Sequence, residues 1–442
     1  MSSLIKDLKI TIKSCKLVQP LETHERRSMF LSNIDQVLNF NVERVHFFDA
    51  NLDFNIECVA DKLEFAFRTL LSSYDFIAGR LNFNTQEKRL EIDCNAAGAV
   101  FVVAESELTI AEIGDLEYPN PAFAQLVVKI ECMEAEDKPL CAIQVTSFKC
   151  GAIAMGTTNN HTTMDGVSFK VFFESLASLV SGKPLGFTPI SDRRSFAARS
   201  PPRVEFTHPE LTQILKDHHQ TDQTLIDSTS SNLEFKLYQL SQKDINNLKG
   251  KARNQGKEGP WITTFNVVTA LVWICKALAT TSKDKTDKIS MIFYAVDLRS
   301  RLQPPLPNSY TGNAVLTAYA KATYDQLENE PFGFIVELLH QGVARLTEEY
   351  ARSVIDWGEL HKGYPKGDIF VSSWLKLGTM EVEFPWGRPK YNGPVVHPNK
   401  DIILLTPQMK GKKKECGVNA ILALPPRDIP HFETLFHKLL LI

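Results

Sequence analysis

Apolar residues recur along this chain in two rhythms, and strand-like and helix-like runs alternate in both halves. In the first half, AGAVFVVAES (97–106) and CAIQVTSFKCGAIAMG (141–156) carry the dense apolar runs of buried strands, while VSFKVFFESLASLV (167–180) spaces its apolar residues at helical intervals. From SGKPLGF to about Asn232 the periodicity fades, and Pro, Ser, Arg and Asp accumulate around SDRRSFAARSPPRVEF. That stretch predicts a long crossover between domains. Beyond it LEFKLYQLS reads as a strand, and SQKD opens a helix with Ser241 at its cap and Asp244 three residues on. In TFNVVTALVWICKALAT (264–280), Phe265, Val268, Leu271, Val272, Cys275, Leu278 and Ala279 share one face, which predicts a buried helix. KISMIFYAVD and DIFVSSWL predict further strands, and IILLTPQ with CGVNAILALP, on either side of MKGKKKE, predicts a hairpin. The expected fold class is therefore α/β in two domains, residues 1–190 and 233–442, joined by a crossover over 191–232.

Length agrees, because 442 residues exceed what one ordinary core organises. A content of 43% hydrophobic and 23% charged residues is that of a folded globular protein and excludes a disordered one. Forty-nine Lys and Arg against 52 Asp and Glu leave a net charge of -3, so no broad electrostatic footprint for nucleic acid exists. Lysines interrupt every short apolar run of MSSLIKDLKITIKSCKLVQP, which lacks a signal-peptide core, and no run elsewhere has the length of a membrane span. The eight cysteines form no CxxC pair and no His/Cys spacing that cages zinc. They read as reduced, mostly buried thiols of a cytoplasmic protein without a metal.

The chemistry is sought in TTNNHTTMDGVSFK (157–170), where His161 stands four places before Asp165. A bare HxxxD match says little, since a chain with 11 histidines holds roughly one by chance. The same spacing recurs at His397 with Asp401 in HPNKD, but proline follows that histidine and a strand begins at the aspartate, so that match reads as a turn. His161 lies between an apolar strand and a helix that Asp165 is placed to cap. The two side chains then do not face each other across a helical turn. A histidine on such a connection suits general-base work, because element ends project side chains into clefts and imidazole titrates near neutrality. A hydrogen-bonded structural histidine is the alternative.

NHTTMDG resembles the HxxxDG signature of the plant BAHD acyltransferases, which move an acyl group from coenzyme A to an alcohol or amine. Further stretches resemble that family in order: LSNIDQVL (31–38) its LSxxD segment, FIAGRL (76–81) its AGRL, VDLRSRLQPPLPNSYTGN (296–313) its VDxRxRxxPPLPxxYxGN block, and VSSWLKLG (371–378) its SSW segment. EFPWGRP (383–389) is a variant of its DFGWG. The resemblance implies two similar domains like chloramphenicol acetyltransferase, with mixed sheets flanked by helices, part of 380–405 joining the first domain, and a channel between them. It also implies a cytoplasmic monomer of specialised metabolism that takes acyl-CoA as co-substrate, with no permanently bound cofactor.

By that resemblance His161 is the general base, taking the proton of a hydroxyl that attacks the thioester without a covalent acyl-enzyme. Asp165 orients, turned away from the substrate and paired with Arg299, and Trp374 is the candidate oxyanion donor because its indole N–H can only donate. Gly312 and Asn313 are expected on the channel wall, and Thr263, Thr264, Ser372 and Ser373 where the family meets the coenzyme. Glu383, Phe384, Pro385, Trp386 and Gly387 form the structural motif. Proline in place of its glycine forbids a positive φ, which would require a rebuilt loop with altered packing. The lysine cluster at 410–414 either meets a coenzyme phosphate or is a solvated turn. FKCGAIAMG and YPNPAFAQLV look closest to members that act on fatty or aromatic alcohols or are linked to steroid acylation, so the expected acceptor is an aromatic, fatty or steroid-like alcohol. An amine acceptor, or a non-catalytic family member that binds partners, is the alternative. A hydrolase finds no support, as no GxSxG is present.

Overall fold

The computed structural model describes residues 5–130, 137–213, 232–253, 259, 262–280, 288–397, 399–409 and 417–441. The lysine cluster at 410–414, Pro398, Cys132, Cys416 and the crossover from 214 to 231 lie outside the described residues. The chain forms two compact units: Met1–Ala198 with Leu306–Ala314 and Leu377–His397, and Arg199–Pro305 with Val315–Lys376 and Pro398–Ile442. Each is a mixed α/β unit built on a six-stranded sheet.

In the first unit the strands run in the spatial order Ile10–Val18, Ala99–Ser106, Cys141–Phe148, Ile153–Asn160, Asn41–Phe48 and Tyr391–Pro394. Only the second and third pair in parallel. The alternation of the strands decides which face each side chain takes. Ile153 and Met155 enter the core formed with the helices Ile56–Ser73 and Gly166–Val180. Gly156, the next residue after Met155, faces the other way, where an added Cβ would strike the Leu126 carbonyl oxygen. A three-stranded sheet, Arg27–Phe30, Arg89–Cys94 and Arg80–Asn84, completes the described sheets of this unit.

The second unit orders its strands Glu234–Leu240, Val418–Leu424, Ile402–Pro407, Ile369–Ser373, Ile289–Asp297 and Val315–Thr323. Ile369–Ser373 runs parallel to both of its neighbours, and Ile402–Pro407 pairs antiparallel with Val418–Leu424 as the hairpin pattern predicts. Ser241 and Asp244 cap the helix Gln242–Arg253 reciprocally. The helix Thr264–Ala279 departs from the one-faced expectation, since every residue from Asn266 to Cys275 and from Ala277 to Ala279 is buried. Its apolar residues outnumber one face because the helices Gln242–Arg253, Phe332–Arg345 and Ile429–Leu441 pack on it as well as the sheet. Cysteine burial is also less general than expected: Cys94, Cys141 and Cys275 are buried, but Cys15 and Cys150 are exposed.

Candidate active site

His161 is the first residue after the strand Ile153–Asn160, and the loop that carries it is tied at every step. Its backbone N–H donates to the Phe40 carbonyl at 2.8 Å, and the Phe40 ring lies 5.1 Å from the imidazole. The Asn160 side-chain oxygen accepts from the Thr162 N–H and hydroxyl at 3.0 and 2.7 Å, and the Thr163 hydroxyl donates to the Asn160 carbonyl at 2.6 Å. Two threonines closing on one asparagine give the loop a single shape, as side-chain mimics of backbone turns do.

Asp165 caps the helix Gly166–Val180, as its position before the apolar run predicts. One carboxylate oxygen accepts from the Ser168 N–H at 2.8 Å, and the other accepts from the Ala314 N–H at 2.9 Å. Its carboxylate thus serves the helix start and the segment 306–314, and does not hold the imidazole. The Ser168 hydroxyl joins the same two elements, donating to the Gly312 carbonyl at 2.8 Å and accepting from the Gly312 N–H at 2.9 Å.

The partner of the imidazole is Asn313. Its side-chain oxygen lies 3.1 Å from His161 Nδ1, and its amide nitrogen donates to Asp35 Oδ1 at 2.8 Å and to the carbonyls of His161 and Thr162 at 2.8 and 3.3 Å. Three acceptors around one end of the amide leave no ambiguity about which end is nitrogen. The oxygen therefore faces Nδ1, so Nδ1 carries the proton and Nε2 keeps its lone pair. Asn313 is wholly buried. Burial is the largest influence on the His161 pKa and lowers it; a hydrogen bond to its own backbone opposes this, Arg44 lowers the pKa further, and Asp165 and Asn313 raise it, with a net lowering. The neutral ring is thereby favoured near pH 7.

Sequence reasoning quoted Asp35 without giving it a role and passed over Arg193. Both are fully buried. Asp35 accepts from the Ser32 N–H at 2.8 Å and from the Ser32 hydroxyl at 2.6 Å, and Arg193 Nε stands 3.8 Å from it. Arg193 also donates to the carbonyls of Thr163, Thr311 and Ser191. Gly312 is required there, since a Cβ would fall 1.9 Å from the guanidinium. The pattern S-x-x-D at 32–35 was a legible capping signal, whereas nothing local marked Arg193 among the arginines of the crossover.

The remaining expected residues are placed as follows. In the second unit Arg299 donates to Asp297 at 3.0 Å with its side chain 12% exposed, which is not a freely solvated arginine. Trp374 donates its indole N–H to the Ser372 hydroxyl at 3.3 Å, just beyond the strand that ends at Ser373. Thr263 caps the helix that begins at Thr264. In the first unit Phe384 and Gly387 exchange backbone hydrogen bonds of 3.0 and 2.9 Å across Pro385 and Trp386. The positive φ of this turn, 125°, falls on Gly387 and not on Pro385. Phe384 and Trp386 are buried, stacked at 5.1 Å, and Phe384 meets Phe173 of the helix that Asp165 caps. Glu383 pairs with Arg388 at 2.8 Å on the surface. His397 is half-exposed, and its Nε2 lies 2.8 Å from the buried Glu43. Among the described residues no group of three His, Cys, Asp or Glu is placed to hold a metal, and no helix is long and apolar enough to cross a membrane.

Residues 8–439 match the family model described as Transferase family. Acyltransferase GLAUCE of Arabidopsis thaliana is 51% identical over 443 aligned residues, which cover 99% of this chain and 97% of that protein. Omega-hydroxypalmitate O-feruloyl transferase of the same plant is 30% identical, covering 97% of this chain and 93% of that one. The solved structure of vinorine synthase superposes with a TM-score of 0.75 over 98% of both chains at 20% identity, a likeness of fold. Together with two sheet-bearing α/β units and the ordered motifs, these matches place the chain in the Transferase family, the plant BAHD acyl-CoA-dependent acyltransferases, and make it an acyltransferase enzyme.

Proposed function

We propose that this enzyme transfers an acyl group from an acyl-CoA thioester to the hydroxyl of a fatty, aromatic or steroid-like alcohol, with His161 as general base. Nε2 takes the hydroxyl proton as the oxygen bonds to the thioester carbonyl carbon. The tetrahedral oxyanion then collapses, the carbon–sulfur bond breaks, and the proton held on Nε2 passes to the departing thiolate. Ester and free coenzyme A are the products, and no acyl group is ever bonded to the protein.

The observation that carries this reading is the state of the imidazole. A ring whose Nδ1–H is held by the Asn313 carbonyl, and whose pKa burial depresses, presents a free lone pair at Nε2 near neutral pH. A relative named for feruloyl transfer to the oxygen of omega-hydroxypalmitate supports an oxygen acceptor on a long apolar molecule. The test is a matrix of acyl-CoAs against alcohols and amines, following release of the coenzyme thiol and identifying the product by mass. His161→Ala, folded by circular dichroism, is expected to lose about 10² to 10⁴ in rate. A folded variant that retains more than roughly a tenth of the wild-type rate removes His161 from the mechanism. Amide products alone would replace the alcohol by an amine.

A further inference from the structure

His161 has no carboxylate of its own in the sense of a hydrolase triad, and the motif aspartate is committed elsewhere: both oxygens of Asp165 accept backbone N–H groups, from Ser168 and Ala314. The charge stands one residue further away. Asp35, fully buried, accepts the amide hydrogen of Asn313 at 2.8 Å, and the Asn313 oxygen faces His161 Nδ1 at 3.1 Å.

We propose that Asp35 is a positioning residue for the acyl transfer, which through Asn313 holds His161 in the tautomer whose Nε2 is free to accept a proton. The proposal rests on the reading of His161 as the base.

Burial raises the Asp35 pKa, and Arg193 with the donors from Ser32 and Asn313 opposes it; every group hydrogen-bonded to the carboxyl oxygens is a donor, the set that a carboxylate needs. The Ser32 N–H, the Ser32 hydroxyl and the Asn313 amide all donate to it, and Arg193 stands 3.8 Å away. The Ser32 oxygen meanwhile accepts from the Asp35 N–H at 3.3 Å, so its own hydrogen is the one aimed at the carboxylate. A carboxylate can only accept, so the end of Asn313 that faces it is the NH₂ end and the end that faces His161 is the carbonyl. Two backbone carbonyls reinforce this orientation, but Asp35 supplies the charge-assisted bond, which is about twice as strong as a neutral one. Turning the amide over would set a carbonyl against a buried carboxylate. When Nε2 takes the acceptor's proton, the ring becomes cationic, and the Asn313 dipole, oriented by Asp35, presents its negative end to that charge. Asp35 thus favours both the reactive tautomer and the protonated ring that follows.

Asp35→Asn can donate where the carboxylate only accepts, so it permits the reversed amide and a proton on Nε2. The expected result for a folded Asp35→Asn is a kcat about 10- to 100-fold lower, with KM for both substrates within about twofold of wild type. With histidine labelled in ¹⁵N, the unprotonated-nitrogen signal of His161 should lie at Nε2 in the wild type and move at least in part to Nδ1 in Asp35→Asn. A cycle with Asn313→Ala separates relay from general support: if Asp35 acts through Asn313, the double variant is no slower than Asn313→Ala alone. Multiplied losses in the cycle, an unchanged tautomer in a slowed Asp35→Asn, or a kcat within threefold of wild type would each overturn the proposal. Should Asp35→Asn not fold, the wild-type spectrum decides, because a proton on Nε2 at neutral pH contradicts the relay. Failure of the base assignment itself appears separately, as activity retained by His161→Ala, which the tautomer measurement does not depend on.

Discussion

At the scale of single residues, the site depends on which atoms are left unengaged. Asn313 uses both ends of its amide, Asp165 both oxygens, and Ser168 both its hydrogen and its oxygen, while Nε2 of His161 is the atom that this network keeps as an acceptor. A pH dependence follows with a definite sign. Burial, aided by Arg44, lowers the His161 pKa, so the neutral ring persists to more acid pH than in an exposed histidine. The acid limb of kcat/KM should fall below the unperturbed value of about 6.5, with a flat rate above it. A limb measured at or above pH 7 would show that the buried environment does not govern the base.

At the scale of elements, the HxxxD matches at His161 and His397 separate by context. His161 follows a strand and precedes a capped helix, whereas His397 precedes a strand and meets the buried Glu43 from a half-exposed position. His397→Ala should keep wild-type turnover and lose at most about 1 kcal/mol of stability, the worth of one ordinary hydrogen bond. If instead the folded variant were as inactive as His161→Ala, the assignment of the site by context would be withdrawn. The EFPWG turn packs against the helix that Asp165 caps, through Phe384 against Phe173. Its glycine is needed for conformation, since φ is 125° at Gly387 and open space surrounds it. Gly387→Ala should therefore cost about 1 to 3 kcal/mol in urea unfolding without a change in KM. Pro385→Gly should cost less than about 1 kcal/mol, because proline there acts chiefly on the unfolded chain.

At the scale of the whole molecule, acid stability is tied to the interior of the first unit. His46 is 1% exposed, stacked 4.3 Å from Phe173, and its pKa is pushed down to about 3, first by burial and then by Arg44. The folded value lies below the unfolded one near 6.5, so the contribution is complete above that pH and is lost as the pH falls from there towards 3. Between pH 7 and pH 5 the loss is about 2 kcal/mol. Urea titrations at the two pH values should show a smaller difference for His46→Phe than for wild type by roughly that amount. Equal differences would mean that His46 is not neutral in the folded protein.

What the sequence determined by itself is local in origin. Alternation and helical spacing act between residues a few places apart, so the strand before His161, the cap at Asp165, the Ser241–Asp244 box and the hairpin over 402–424 could all be read from neighbours. The ordered motifs added the family. The tertiary structure alone decided what holds the imidazole. Asn313 reaches Asp35 across 278 positions and His161 across 152, and no periodicity relates residues so far apart. It also decided that Leu306–Ala314 belongs with the first unit, because Asp165, Ser168 and Arg193 bond to that segment's backbone, and a backbone amide or carbonyl carries no signature in the sequence. The turn at Pro385 shows the same division: the residue type excluded a positive φ there, but only the folded chain placed that φ two residues later, on glycine.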